Sequence, residues 1–159
     1  MKNLFLSKGV SIVEVLFGVS LFALITIFTT QTIALFLDNA DRAQEEMHAV
    51  YLAEEGLEVV RYLRDDDWNT LADLTVDTPY YLAITASTLA TTTVPETIGG
   101  TYSRSFVLRE VYRDSDDDIV ASTTAGAVVD TESKMVRMQV TWGSESVSLQ
   151  TILTNIFDI

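Results

Sequence analysis

Glu14 is the residue whose type and position most strongly indicate chemistry in this chain of 159 residues. It follows Gly9 by five positions, and the 23 residues from Val15 to Leu37 carry no charge. An ionisable group in a membrane helix costs roughly 2.5–3.5 kcal/mol at the centre and less near an end, so it usually has a partner. One interpretation places Glu14 in water at the membrane interface. The other pairs it with a cation from another chain: cleavage after Gly9 would create an amine on Val10, which a neighbour displaced along the helix axis could present in an open helical assembly.

A second acidic pattern consists of Asp114, Asp116 and Asp118, whose alternating spacing is that of the first half of a calcium-binding loop. The pattern fails in its second half, because Ile119 stands where the loop needs Gly and Ala125 where it needs a bidentate Glu. We therefore expect a solvated acidic turn, with a weak Ca²⁺ site as the alternative, and we assign no metal ligand.

The composition excludes several other kinds of site. The chain has no Cys and one His, which removes thiol nucleophiles, Cys-type zinc sites and His-based metal clusters. We expect His48 to be a solvated helix residue. The net charge of −13 disfavours nucleic-acid binding, because an acidic surface repels phosphate backbones. With no nucleophile elbow, phosphate-binding loop or recognisable pair of catalytic carboxylates, the sequence predicts neither an enzyme nor a cofactor.

The element that positions Glu14 is the apolar run from Val15 to Leu37. At about 1.5 Å per residue, a helix of this length spans roughly the 30 Å hydrocarbon core of a bilayer. Lys2 and Lys8 precede the run, so the positive-inside rule places the N-terminus in the cytoplasm. The residues that follow include 22 acidic and 8 basic side chains, a net charge of −14, and are expected outside the cytoplasm. No small-residue signal-peptidase site follows the run, so we expect the segment to stay attached.

The segment Lys8–Leu16, KGVSIVEVL, resembles the prepilin cleavage and methylation signature of type IV pilins and type II secretion pseudopilins. The resemblance implies that the nine residues ending in Gly9 are a basic leader. It implies that a prepilin peptidase cuts between Gly9 and Val10, with Lys8 completing the cleavage site. It also implies N-methylation of Val10 and a role for Glu14 in subunit assembly. The implied partners are the peptidase, other pilin or pseudopilin subunits, an inner-membrane assembly platform and membrane lipid.

Two departures from that signature bear on the kind of subunit. Phe or Met usually follows the cut, whereas Val10 stands there, and this bears on methylation. Major pilins often carry a Pro late in the apolar run; this run has none, and Gly18 is its only strong helix breaker. The absence of Pro favours a minor pilin or pseudopilin. It would reside in the inner (cytoplasmic) membrane as a single-pass protein and then enter an extracytoplasmic or cell-surface filament. The sequence is compatible with a subunit of a pilus and with a subunit of a secretion pseudopilus.

The main alternative to a filament subunit is an uncleaved single-pass protein that displays a small binding domain. A third reading is an envelope enzyme whose site has no recognisable motif. Co-expression with a prepilin peptidase separates the filament subunit from the uncleaved anchor. Loss of residues 1–9 supports the filament subunit, and an intact N-terminus supports the uncleaved anchor.

The helix is predicted to continue past the apolar run, because residues 38–66 contain no Pro and show apolar residues at helical spacing. These apolar positions are Ala49, Leu52, Ala53, Gly56, Val59, Val60 and Leu63. We predict one helix from about Ser11 to about Arg64, with a transmembrane and assembly segment at residues 10–37 and an amphipathic segment after it. The stretch AEEGLEVVRYLRDDDWNTL, residues 53–71, also resembles a segment of minor pilin-like bacterial proteins.

Beyond Trp68 the apolar period changes from 3.6 to 2, which predicts a β-rich extracytoplasmic head at residues 67–159. Strands are predicted at residues 80–84, 102–112, 135–142 and 147–156. We expect Gly143-Ser144 to join the last two strands as a hairpin, and residues 85–101, rich in Thr, Ser and Ala, to form an exposed loop. The predicted fold is therefore α+β: a long N-terminal helix, transmembrane in its first half and amphipathic in its second, packed on a small antiparallel sheet in a pilin-like manner.

Overall fold

The chain folds as one long helix and an antiparallel sheet in a computed structural model that describes residues 11–85 and 88–156. The elements are α1 (Ile12–Asp66), α2 (Asn69–Ala72), β1 (Pro79–Ile84), β2 (Leu89–Thr92), β3 (Glu96–Ile98), β4 (Tyr102–Arg113), β5 (Ile119–Val120), β6 (Val128–Trp142) and β7 (Glu145–Thr154). They form two compact units, one ending at Gln44 and the other beginning at Glu45. Helix α1 contributes residues to both units, and its observed bounds confirm the predicted single helix.

The second unit contains a seven-stranded sheet in which β4 and β6 are the longest strands. The strand order is β2-β1-β4-β6-β7, every pairing is antiparallel, and β3 and β5 pair with the two ends of β4. The predicted turn at Gly143-Ser144 is confirmed, since Trp142 pairs with Glu145 across it. Gly143 has a φ of 52°, and Gly at the first central position of a two-residue hairpin is typical of a type II′ turn.

The core of this unit lies between one face of α1 and one face of the sheet. The buried positions of α1 are Ala49, Leu52, Ala53, Gly56, Leu57, Val60 and Leu63. On β6 the predicted apolar face is confirmed, because Val136, Met138 and Val140 are fully buried. The helix stripe differs from the prediction at one position: Leu57 is buried, whereas Val59 is only half-buried at the edge of the core.

The head differs from the prediction in three respects. Residues 85–101, expected to be a loop, contain the strands β2 and β3. Threonine favours strands, and β2 gains its hydrogen bonds by pairing with β1. The helix α2 and the strand β5 were not predicted. Strand β6 begins at Val128 rather than Met135, because its first residues pair with the end of β4 beyond a register shift after Glu110.

Candidate functional site

Glu14 lies in the first turn of α1, and its side chain is exposed. A negative charge at this end of a helix is favourable, because the first backbone amides have no intrahelical acceptor and carry partial positive charge. No residue within 11–85 or 88–156 forms an ion pair with Glu14, so a cation that pairs with it would come from elsewhere. The predicted cleavage and methylation residues, Lys8, Gly9 and Val10, lie outside the described residues.

The apolar segment that follows Glu14 is helical throughout and exposed at every residue from 15 to 37. Leu16, Phe17 and Phe22 illustrate this, with 62%, 75% and 72% of their surfaces exposed. Successive residues of a helix are about 100° apart, so these three side chains point to different sides. A helix that is apolar all round is stable only when lipid or other protein surrounds it. Within the described residues, α1 is the one helix long and apolar enough to cross a membrane.

The hydroxyl groups of the apolar segment bond to the helix itself. Each donates to a backbone carbonyl oxygen four residues earlier, at oxygen–oxygen distances of 2.8–3.0 Å. The donors are Ser20, Thr26, Thr29, Thr30 and Thr32. A hydroxyl without a partner is expensive in hydrocarbon, where no water can bond to it. These internal bonds therefore reduce the free-energy cost of surrounding this segment with lipid.

In the second unit, α1 fits closely against the sheet at Gly56. A Cβ atom added to Gly56 would stand 2.8 Å from Met138 Cε and 2.9 Å from Arg104 Cδ, so a larger residue here would require these side chains to shift. Arg104 is 2% exposed. Its Nη1 donates to the Leu52 carbonyl oxygen at 3.0 Å and to Glu55 Oε2 at 2.9 Å. A buried guanidinium is costly unless its donors are bonded, so these contacts fix the helix on the sheet.

His48 is exposed, as expected from the sequence, but one side of its ring has a packing contact. Its ring meets that of Tyr102 edge-on, with centroids 4.9 Å apart and an interplanar angle of 63°. The ring of Tyr102 in turn lies 5.9 Å from that of Trp142, and the Tyr102 hydroxyl donates to the Glu45 carbonyl oxygen at 3.5 Å. His48 therefore belongs to an aromatic cluster between α1, β4 and β6.

The acidic pattern around Asp114 forms the turn between β4 and β5. Asp114 Oδ1 accepts hydrogen bonds from the amides of Asp116 at 3.0 Å and Asp118 at 3.1 Å, so the first carboxylate closes the turn. Asp117 has a φ of 67°, a left-handed conformation that Asp tolerates in turns. In the described part of the chain, no three His, Cys, Asp or Glu side chains are arranged to hold a metal ion. This geometry gives the calcium alternative no support.

Next to this turn, Arg113 and Asp130 join the ends of β4 and β6. Arg113 Nε lies 2.6 Å from Asp130 Oδ2, and the Asp130 side chain is 13% exposed. The hydrogen bond from Arg113 lowers the pKa of Asp130 below its usual range, and the same bond raises the pKa of Arg113. Asp130 Oδ1 also accepts the Glu132 amide at 3.0 Å. The pair therefore holds the irregular part of β6 against β4.

The head contains buried charges that were not predicted from the sequence. Arg104 occupies a core position, because it lies on the same face of β4 as the buried residues Tyr102 and Phe106. Lys134 is 8% exposed, and its Nζ lies 2.9 Å from Glu110 Oε2. Strand alternation places both basic residues on the same faces as core residues, but only the fold shows which groups bond to their charged nitrogen atoms.

No protein-family model, curated protein or solved structure matches this chain. The function proposed below rests on the N-terminal sequence and on the geometry of α1.

Proposed function

We propose that the chain is a structural subunit, a minor pilin or pseudopilin, of a type IV pilus or a type II secretion-like filament. A prepilin peptidase cuts it after Gly9, and the mature chain assembles through its N-terminal helix. One observation carries the proposal: Glu14 stands at the start of a helical segment, residues 15–37, that is apolar and exposed on every side. Such a segment needs a non-aqueous environment, which is lipid before assembly and neighbouring helices after it.

Burial of the apolar segment supplies the free energy that keeps the helix out of water. Each fully buried Leu, Ile, Val or Phe side chain contributes about 1.5–3 kcal/mol relative to exposure in water. Lipid satisfies this requirement as well as protein does, so apolar burial alone does not favour assembly over the membrane. Assembly therefore needs a more specific contact between neighbouring helices.

Glu14 provides that contact in the proposed filament. Cleavage after Gly9 leaves a free amine on Val10, which carries a positive charge near neutral pH. An amine from a neighbouring subunit would neutralise the Glu14 carboxylate in surroundings of low dielectric constant, where the attraction between opposite charges is strongest. The two groups are four residues apart in the sequence, so in this proposal pairing between subunits requires an axial displacement. A repeated displacement gives an open helical filament.

The test is incorporation of two variants into filaments in a bacterial host that has the assembly machinery. Gly9→Ala is expected to block cleavage, so the full chain stays in the membrane. Glu14→Ala is expected to be cleaved normally and to be lost from sheared filaments by at least about tenfold. Glu46→Ala is the matched control, because Glu46 is another exposed glutamate of the same helix. Normal incorporation of Glu14→Ala would contradict the proposed pairing.

The alternative function is an uncleaved, membrane-anchored protein that displays a small binding domain. The exposed position of Glu14 in the first helical turn favours this reading, because water at the interface and the helix dipole would both stabilise the carboxylate there. In that case the Gly9→Ala variant would behave as the unaltered protein does, since no cleavage would occur in either chain.

A further inference from the structure

Strand β7 presents a long, unprotected edge. Within the described residues it lies at the end of the sheet and pairs only with β6, without a register shift over its ten residues. Natural proteins usually protect such an edge with Lys, Pro or a bulge, because free backbone groups pair readily with another strand. The sequence of β7, ESVSLQTILT, has neither Lys nor Pro, and its one charged residue is Glu145 at the start. The edge is therefore competent to accept a further strand.

The hairpin turn determines which backbone groups of β7 face outward. Trp142 and Glu145 flank a two-residue turn, so they form the hydrogen-bonded pair nearest to it. Along the ladder, hydrogen-bonded pairs then alternate with non-hydrogen-bonded pairs. The non-hydrogen-bonded positions of β7 include Ser148, Gln150 and Ile152. The backbone amides and carbonyls of these residues therefore point away from β6. The side chains of Ser148 and Gln150 are exposed.

An acidic groove of about 550 Å³ lies between this edge and α1. Its lining includes Leu149 and Thr151 of β7 and Tyr51 of α1. The charged residues of the lining are three glutamates and one arginine, all on α1: Glu54, Glu55, Glu58 and Arg61. The Tyr51 ring is 61% exposed. Glu54 is exposed and forms no ion pair with a described residue, whereas Glu58 pairs with Arg61. The groove thus combines a free strand edge, an aromatic face that can stack on a guanidinium, and excess negative charge.

We propose that this groove binds an extended, Arg- or Lys-rich segment of a partner protein, which adds to β7 as a further strand. The backbone of that segment would pair with the amides and carbonyls at Ser148 and Gln150. Its basic side chains, on alternate residues, would lie against Glu54 and Tyr51. A second copy of this chain fits less well, because two β7 edges together would bring two sets of groove glutamates into one cleft. The net charge of −13 adds to that repulsion.

The probe for this site is a fluorescent, terminally blocked peptide of eight residues in which Arg and Thr alternate. Its binding to the full chain in lipid nanodiscs is measured by anisotropy. Binding that saturates below millimolar concentration is expected. A peptide with Glu in place of Arg, and an Arg peptide N-methylated at every amide, are each expected to bind at least about tenfold more weakly, because one lacks the charge and the other the backbone donors.

Two pairs of variants test the two parts of the site separately. Gln150→Pro removes an outward amide and is expected to weaken binding at least about tenfold, whereas Gln150→Ala keeps that amide and binding. Tryptophan fluorescence establishes that both variants are folded. Glu54→Gln is expected to weaken binding about threefold. Glu46→Gln, outside the groove, is expected to leave binding unchanged.

Several results would overturn the proposal. Equal binding of the N-methylated peptide would mean that charge alone attracts the probe. Equal binding of the Glu peptide would remove the role of the groove glutamates. A complete lack of binding at millimolar peptide would remove the site. Self-association of the chain that Gln150→Pro abolishes would identify a second copy as the occupant instead.

Discussion

The two halves of α1 have the same backbone conformation and opposite surroundings. Residues 15–37 are exposed on every side, although almost all of their side chains are apolar. Residues 49–63 alternate between a buried stripe on the sheet and a charged, exposed face. Only the second half has a partner within the described structure. The first half therefore requires its partners from outside the chain, whether lipid or other helices.

This difference shows where each half obtains its stability. The second half depends on close contacts with the sheet, so its positions should be sensitive to changes in volume. The first half depends on its overall apolar character, so single side chains there should be replaceable without effect on the head. Matched substitutions in the two regions test the distinction.

The largest expected effect comes from a pair of Phe→Ala substitutions. Phe106 is fully buried in the head, and Phe106→Ala should lower the free energy of unfolding by about 3–5 kcal/mol, because it removes apolar burial and leaves a cavity. Phe22 is 72% exposed, and Phe22→Ala should change that free energy by less than about 0.5 kcal/mol. Urea unfolding of the full chain in detergent, followed by tryptophan fluorescence, measures both. Similar losses for the two variants would contradict the distinction.

A pair of Gly→Ala substitutions should give an intermediate effect. Gly56→Ala places a Cβ 2.8 Å from Met138 Cε and should destabilise the head by about 1–3 kcal/mol through overpacking. At Gly18 a Cβ would meet no atom within 4 Å, so Gly18→Ala should keep the stability of the head and favour the helix. Thermal unfolding by near-ultraviolet circular dichroism compares the two. A stable Gly56→Ala variant would show that the contact with Met138 can relax.

The smallest expected effect is on how the free energy of unfolding of the head changes with pH in acid. Asp130 has a lowered pKa in the folded state, chiefly because of its hydrogen bond from Arg113. Its contribution to stability is therefore complete above the ordinary aspartate pKa of about 3.9 and is lost as the pH falls through the lower folded value. Asp130→Asn should be less stable near neutral pH and should lose less stability as the pH falls below about 4. Asp116→Asn, in the exposed turn, is the control and should keep the original acid dependence; an unchanged profile for Asp130→Asn would refute this account.

The elements that the sequence predicted correctly are long and strongly patterned. The charge-free run and the apolar stripe after it predicted α1 from end to end within two residues. Alternation over eight or more residues predicted β7 and the second half of β6, β-forming residues predicted β4, and the Gly143-Ser144 turn predicted the hairpin between β6 and β7. The signal was strong in each case because many residues repeat one period.

The parts that were missed are either too short to show a period or depend on partners distant in sequence. Strands β2 and β5 have four and two residues, too few for a periodic signal, and they exist because β1 and β4 supply their hydrogen bonds. The burial of Arg104 depends on the Leu52 carbonyl oxygen, 52 residues away along the chain. Gly56 was predicted to face the core, but its close contact with Met138, on the distant strand β6, has no signal in the sequence. The calcium pattern matched in spacing, whereas the folded turn uses Asp114 to bind its own backbone.

The most direct test of the proposed function is the mass of the mature chain. The full chain is expressed with and without a prepilin peptidase, and its N-terminus is determined by intact-mass and peptide mass spectrometry. We expect the co-expressed chain to begin at Val10, and the chain expressed alone to keep its first nine residues. A chain that keeps those residues beside an active peptidase would contradict the proposed filament subunit and leave the membrane-anchored binding domain.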